Sequence, residues 1–86
     1  PEVSKAMLEA AIPALEALPA WDQESIHGAL VSLAEQLGVK NATLMWPVRI
    51  AAAGKAVTPG GAVEICHVLG REETLRRLRL GLDKLR

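Results

Sequence analysis

Apolar positions recur every three or four residues along most of the chain, a period that predicts helices and not strands. The clearest case is central to the first half. Ile26, Leu30, Leu33 and Leu37 follow at +4, +3 and +4, which makes one stripe along a helix. Asp22 is placed to cap it, Trp21 to fold over Ile26 as a hydrophobic staple, and Gly38 to stop it. Upstream, Leu8, Ile12 and Leu15 predict a helix from near Ser4 towards Leu18, which Pro13 is expected to kink or split. At the other end, Leu75, Leu78, Leu82 and Leu85 at +3, +4 and +3 predict a helix over Arg71 to Leu85. Glu72 and Glu73 lie in its first turn, with Lys84 and Arg86 in its last, the order that complements a helix dipole. Arg76, Arg77 and Arg79 must then spread over its sides and exposed face.

Between these lies the stretch WPVRIAAAGKAVTPGG, from Trp46 to Gly61. Pro47 suits the first turn of a helix, where its missing N–H would be unpaired anyway. The expectation is a short helix over Val48 to Ala53 closed by Gly54, preceded by a link from Val39 to Met45 in which Asn41 can cap one turn. Ala51, Ala52 and Ala53 leave the helix open to close approach, and Arg49 is its only long polar side chain. Thr58-Pro59-Gly60-Gly61 is strong turn chemistry. A fourth helix is expected from Gly61 or Ala62 to Leu69, ended by Gly70. The central stretch reads either as a surface that receives a ligand or as a connector carrying a solvated arginine.

Composition narrows the fold. Half of the 86 residues are hydrophobic but only Trp21 and Trp46 are aromatic, so the core must be built from Leu, Ala, Val and Ile. Those residues favour an all-α fold, a compact bundle of about five helices in one domain spanning residues 1–86. The single cysteine, Cys66, excludes an internal disulfide framework and fits a reducing, cytoplasmic compartment. No apolar run approaches a membrane span, so no membrane partner is expected. Starting at Pro1 without a methionine, the sequence is expected to be a piece of something longer. The net charge of zero hides an asymmetry: residues 1–37 carry −5 and residues 38–86 carry +5. Such a division hints at a polyanionic partner for the basic half, or at two halves that attract each other.

Catalysis finds little support. His67 follows Cys66 directly, and sequence neighbours on a helix point about 100° apart, so the two do not face each other as nucleophile and base. With His27 they lack the spacing of a zinc site. Gly54-Lys55 lacks the upstream glycine of a phosphate-binding loop. The helix pair joined at Gly70 has the outline of a DNA-reading helix-turn-helix. Its second helix, however, opens on two glutamates and commits its leucine stripe to the core, so no DNA partner is expected.

The ordered set PVRIAAAG, VTPGG, VEI and LGREETLRRL resembles the C-terminal anticodon-binding domain of bacterial glutamyl-tRNA synthetases. That family carries a block close to PLRxALTG, a loop ending in Pro-Gly, an FE-like helix start and LGKEETLxRL. Pro47, Arg49, Ala51, Gly54, Pro59, Gly60, Glu64, Leu69, Gly70, Glu72, Leu75, Arg77 and Leu78 stand here in matching order, and the resemblance covers nearly the whole chain.

The resemblance implies the distal helical end of a class I aminoacyl-tRNA synthetase, an ATP-dependent ligase that joins glutamate to its tRNA. It implies that Arg49, Thr58, Pro59, Gly60 and Gly61 contact the second and third anticodon bases of tRNA-Glu, with upstream domains of the same synthetase as the other partner. It also implies that ATP and magnesium serve a catalytic domain lying elsewhere; the HIGH and KMSKS signatures are absent, and this piece needs no cofactor and no metal. Some members have leucine where this chain has Gly61, while Ala53 and Val48 replace the usual threonine and leucine. Unstacked loop bases can be reached on their pairing edges, and an arginine offers them rigid donors. Lys40, Lys55, Arg76, Arg77 and Arg79 are candidates for phosphate attraction. The alternative is a helical module that docks other protein domains.

Overall fold

One central helix organises the bundle. The computed structural model describes residues 2–54 and 60–85, which form α1 (Glu2–Glu16), α2 (Gln23–Leu37), α3 (Asn41–Ala53), α4 (Ala62–Leu69) and α5 (Arg71–Leu85). The fold is all-α, as the hydrophobic period predicts. α3 packs against each of the other four helices, whereas α1 does not meet α4 and α2 does not meet α5. One core joins them, with Leu8, Leu15, Ile26, Leu30, Leu44, Val48 and Leu78 all buried within it.

The boundaries of α3 differ from the sequence expectation. Val39 to Met45 is not a link: the helix begins at Asn41, and Pro47 lies inside it instead of at its first turn. The N-cap is Lys40, whose carbonyl accepts from the Thr43 amide at 3.0 Å, and Asn41 is already helical. Leu44, Pro47, Val48 and Ala52 form one buried stripe at +3, +1 and +4, so the apolar face runs straight through the proline. An interior proline costs about 3 kcal/mol or more. Burying Leu44 and Val48 contributes roughly 1.5–3 kcal/mol each, enough to carry the helix through. The same holds in α1. Pro13 sits on its exposed face and the helix is continuous from Glu2 to Glu16, neither split nor extended to Leu18, because Met7, Leu8, Ala11 and Leu15 are buried along the other face.

Stops and caps follow the local sequence. Gly38 and Gly54 close α2 and α3 with left-handed backbone, φ 70° and 77°, that other residues rarely take. Asp22 caps α2 by accepting from the Ser25 amide at 2.7 Å. Two stripes fall short at their ends, since Leu37 and Leu85 are exposed.

The alanines of α3 are covered from inside the molecule. A Cβ on Gly81 of α5 would lie 2.9 Å from the Ala51 Cβ, so the two helices cross where neither has a bulky side chain. Ala52 is buried, and its carbonyl accepts from Arg77 Nη1 at 2.8 Å. The close approach expected at Ala51 and Ala52 is thus made by α5.

Candidate functional site

Continuing α3 back to Asn41 puts Trp46 and Arg49 three residues apart on one helix, hence on one face. The Arg49 guanidinium carbon stands 5.0 Å from the centroid of the Trp46 ring, within cation–π range. Both border a groove of about 510 Å³, completed on α3 by Ala42, Thr43 and Met45 and opposite by Gly61 and Ala62 at the start of α4. Arg49 is the only charged side chain on α3 and is half-buried, while Trp46 is half-exposed. The wall formed by α4 is low. Gly61 has extended backbone at φ −82°, and a Cβ there would meet nothing within 4 Å.

Of the residues expected at the site, Arg49 and Gly61 share this groove, and Gly60 adjoins it in sequence, with Glu64 3.4 Å from where its Cβ would be. Thr58, Pro59 and Lys55 lie outside the described residues. Lys40 is exposed at the N-cap of α3, two positions before the groove begins.

The arginines of α5 are held by internal partners. Arg76 and Arg77 both donate to Glu73, at 2.6 and 2.7 Å, while Arg77 also ties down the end of α3 through the Ala52 carbonyl. Hydrogen bonds from Arg76 and then Arg77 pull the Glu73 carboxyl from 4.5 down to about 2, and Glu73 in turn raises Arg76. Arg79 reaches across to Glu16 of α1 at 2.7 Å, joining the basic half of the chain to the acidic half. Part of the charge asymmetry is therefore consumed inside the molecule. Arg76 and Arg77 also border a second groove, of about 460 Å³, with Pro47, Ile50, Leu80 and Lys84 among its walls.

Cys66 and His67 do not work together. The Cys66 thiol is buried, and burial raises it from 9.0 to about 11 against an opposing hydrogen bond from Thr74. His67 is exposed, with Nδ1 3.5 Å from Gln23 Nε2. Among the described residues no group of three or more His, Cys, Asp or Glu side chains could hold a metal ion, and no helix is long and apolar enough to cross a membrane.

Trp46 is the residue that sequence reasoning passed over. Its signal was present: a second tryptophan in a chain with no other aromatic, three positions before the arginine. With Pro47 inside α3 and not at its start, Trp46 belongs to the helix and shares a face with Arg49.

The family model for the anticodon binding domain matches residues 1–82. A glutamate–tRNA ligase of Clostridium tetani (strain Massachusetts / E88) is 47% identical over 85 residues, covering 99% of this chain and 17% of the relative. The glutamate–tRNA ligase of Clostridium novyi (strain NT) is 48% identical over 86 residues, 100% of this chain and 18% of the relative. That of Clostridium botulinum (strain Hall) is 48% identical over 85 residues, again 99% and 18%. The chain thus spans less than a fifth of the length of the curated relatives it matches.

Proposed function

The chain belongs to the anticodon binding domain family, and from that premise we propose that it is the anticodon-reading end of a cytoplasmic glutamate–tRNA ligase, with the groove at Arg49 and Gly61 receiving the second and third anticodon bases of tRNA-Glu. The observation that carries this reading is that α3 sets its only charged side chain, Arg49, on one groove with Gly61 and Ala62 at the start of α4. Arg49 supplies donors to a base edge. Thr58 and Pro59 contact the bases beside it, and Gly60 and Gly61 supply main-chain groups, since backbone near glycines can approach a base closely. Lys40 and Lys55 draw the phosphates without regard to sequence. Arg76, more exposed than Arg77, would add to that field once released from Glu73. Arg77 and Arg79 would first have to release Glu73, the Ala52 carbonyl and Glu16.

The rest of the synthetase is the second partner in this reading. In this reading the activation of glutamate with ATP and magnesium falls to a part of the synthetase outside this chain, which spans less than a fifth of its relatives' length. Here the chain contributes affinity and selection of the correct tRNA.

The test is a titration with the anticodon stem-loop of a glutamate tRNA, followed by backbone amide signals, beside a hairpin whose second and third anticodon bases are replaced. Signals of Arg49, Thr58, Gly60 and Gly61 should move only with the cognate loop. Arg49→Ala should cost about 1–3 kcal/mol of discrimination, the value of one base-edge contact. Equal shifts with both hairpins, confined to the arginines of α5, would reduce the interaction to plain electrostatics and reject the reading.

A further inference from the structure

We infer that Trp46 is a stacking platform for one unpaired loop base, and that it contributes affinity while Arg49 contributes discrimination. This inference rests on the groove being the RNA site proposed above, and adds to it a residue and a division of labour. The two tryptophans of the chain are treated differently by the fold. Trp21 is packed against the core and its indole N–H is used by the Cys66 carbonyl. Trp46 leaves 49% of its surface exposed, beside a groove.

Three features make it a platform and not a stray surface residue. The first is rigidity. Trp46 stands on the helix that all four others pack against, next to the buried Pro47 and two residues before the buried Val48. The second is orientation. Arg49, 5.0 Å from the ring centroid, is held to the indole by cation–π attraction, which limits the positions the ring can take. The third is room. The neighbours across the groove are Gly61 and Ala62, and the space of about 510 Å³ lies within the ~300–1,000 Å³ range of small-ligand clefts. A planar ring can therefore slide against the indole without displacing a large side chain.

The chemistry separates the two residues. Every base has a π-face, so stacking on an aromatic ring is tolerant of sequence. A guanidinium donating to a base carbonyl is not. Removing the indole should weaken cognate and base-replaced hairpins by the same factor, whereas removing the guanidinium should erase the difference between them.

The experiment uses Trp21→Phe, so that Trp46 is the only indole and reports on itself. Adding the cognate hairpin should quench its fluorescence, and a hairpin with abasic sites at the second and third positions should not. Trp46→Leu, made in the otherwise unchanged chain, should lower affinity about tenfold for cognate and replaced hairpins alike, the scale of one base–aromatic stack. Trp46→Phe should recover most of that loss. Circular dichroism of each variant checks the fold. Unchanged affinity in Trp46→Leu, with anticodon-dependent binding and its loss in Arg49→Ala intact, would overturn the platform and leave the anticodon site standing. A loss restricted to the cognate hairpin would assign Trp46 to discrimination and overturn the division of labour. Binding without any anticodon dependence in the unmodified chain would remove both.

Discussion

Trp21 Nε1 donates to the main-chain carbonyl of Cys66 at 2.9 Å, a bond that ties the α1–α2 connection to the end of α4. The same carbonyl accepts from Thr74 Oγ1 at 3.0 Å and from the Gly70 amide at 3.1 Å. A helix C-terminus leaves carbonyls without intrahelical partners, and here one of them gathers donors from the α1–α2 connection, the α4–α5 turn and α5. Beside it, Arg71 Nη2 donates to the Leu18 carbonyl at 2.5 Å with its guanidinium carbon 5.6 Å from the Trp21 ring. Trp21 is thus a joint between helices, a larger role than the local staple over Ile26 that its position before Asp22 predicts.

Because three donors share that carbonyl, losing one leaves it satisfied. Trp21→Phe keeps most of the ring and removes the donor, so it should cost about 1 kcal/mol in urea unfolding, as should Thr74→Val. The double variant should cost more than the two together, since the carbonyl then retains only the Gly70 amide. Additive losses would mean that the bonds act independently.

Gly81 should resist the substitution that usually improves a helix. Alanine in place of an interior glycine gains about 1 kcal/mol in propensity. Here the added Cβ would sit 2.9 Å from the Ala51 Cβ, which cannot move without shifting α3. Overpacking of this kind costs about 1–3 kcal/mol. Gly81→Ala should therefore lower the melting temperature, and Ala51→Gly in the same chain should recover part of it. A rise in melting temperature for Gly81→Ala alone would show that the crossing has slack.

Acid should loosen two local structures before the core. Glu73 is depressed to about 2 by Arg76 and Arg77, and Asp22 is lowered from 3.8 by the Ser25 backbone and side-chain hydrogen bonds. A carboxyl lowered on folding contributes stability that is full above its unfolded value and lost as pH falls through its folded value. For Glu73 that window runs from 4.5 down to about 2. Stability measured by urea unfolding should decline across it, and Glu73→Gln should flatten the decline. An unchanged pH profile in Glu73→Gln would mean that the pairs with Arg76 and Arg77 contribute nothing net, as many exposed ion pairs do.

Much of the helical framework was legible along the chain because its signals are local. Asp22 bonds to an amide three residues on, Gly38 and Gly54 take backbone conformations that depend on their own missing side chains, and the stripes of α2 and α5 need only their own spacing. The exceptions are instructive. Pro13 and Pro47 are local signals too, and both were outvoted by apolar faces whose burial depends on other helices.

By itself the sequence determined the all-α class, the Asp22 cap, the glycine stops and the family resemblance, each of which depends on residues close together or in fixed order. Only the tertiary structure decided which charges are already spent. The reach of Arg79 to Glu16, of Arg77 to the Ala52 carbonyl and of Trp21 to Cys66 spans helices that no periodicity relates. It also decided that α3 runs unbroken through Pro47, because that continuity rests on neighbours burying Leu44 and Val48. From it follows the shared face of Trp46 and Arg49, and with it the shape of the groove proposed to meet the RNA.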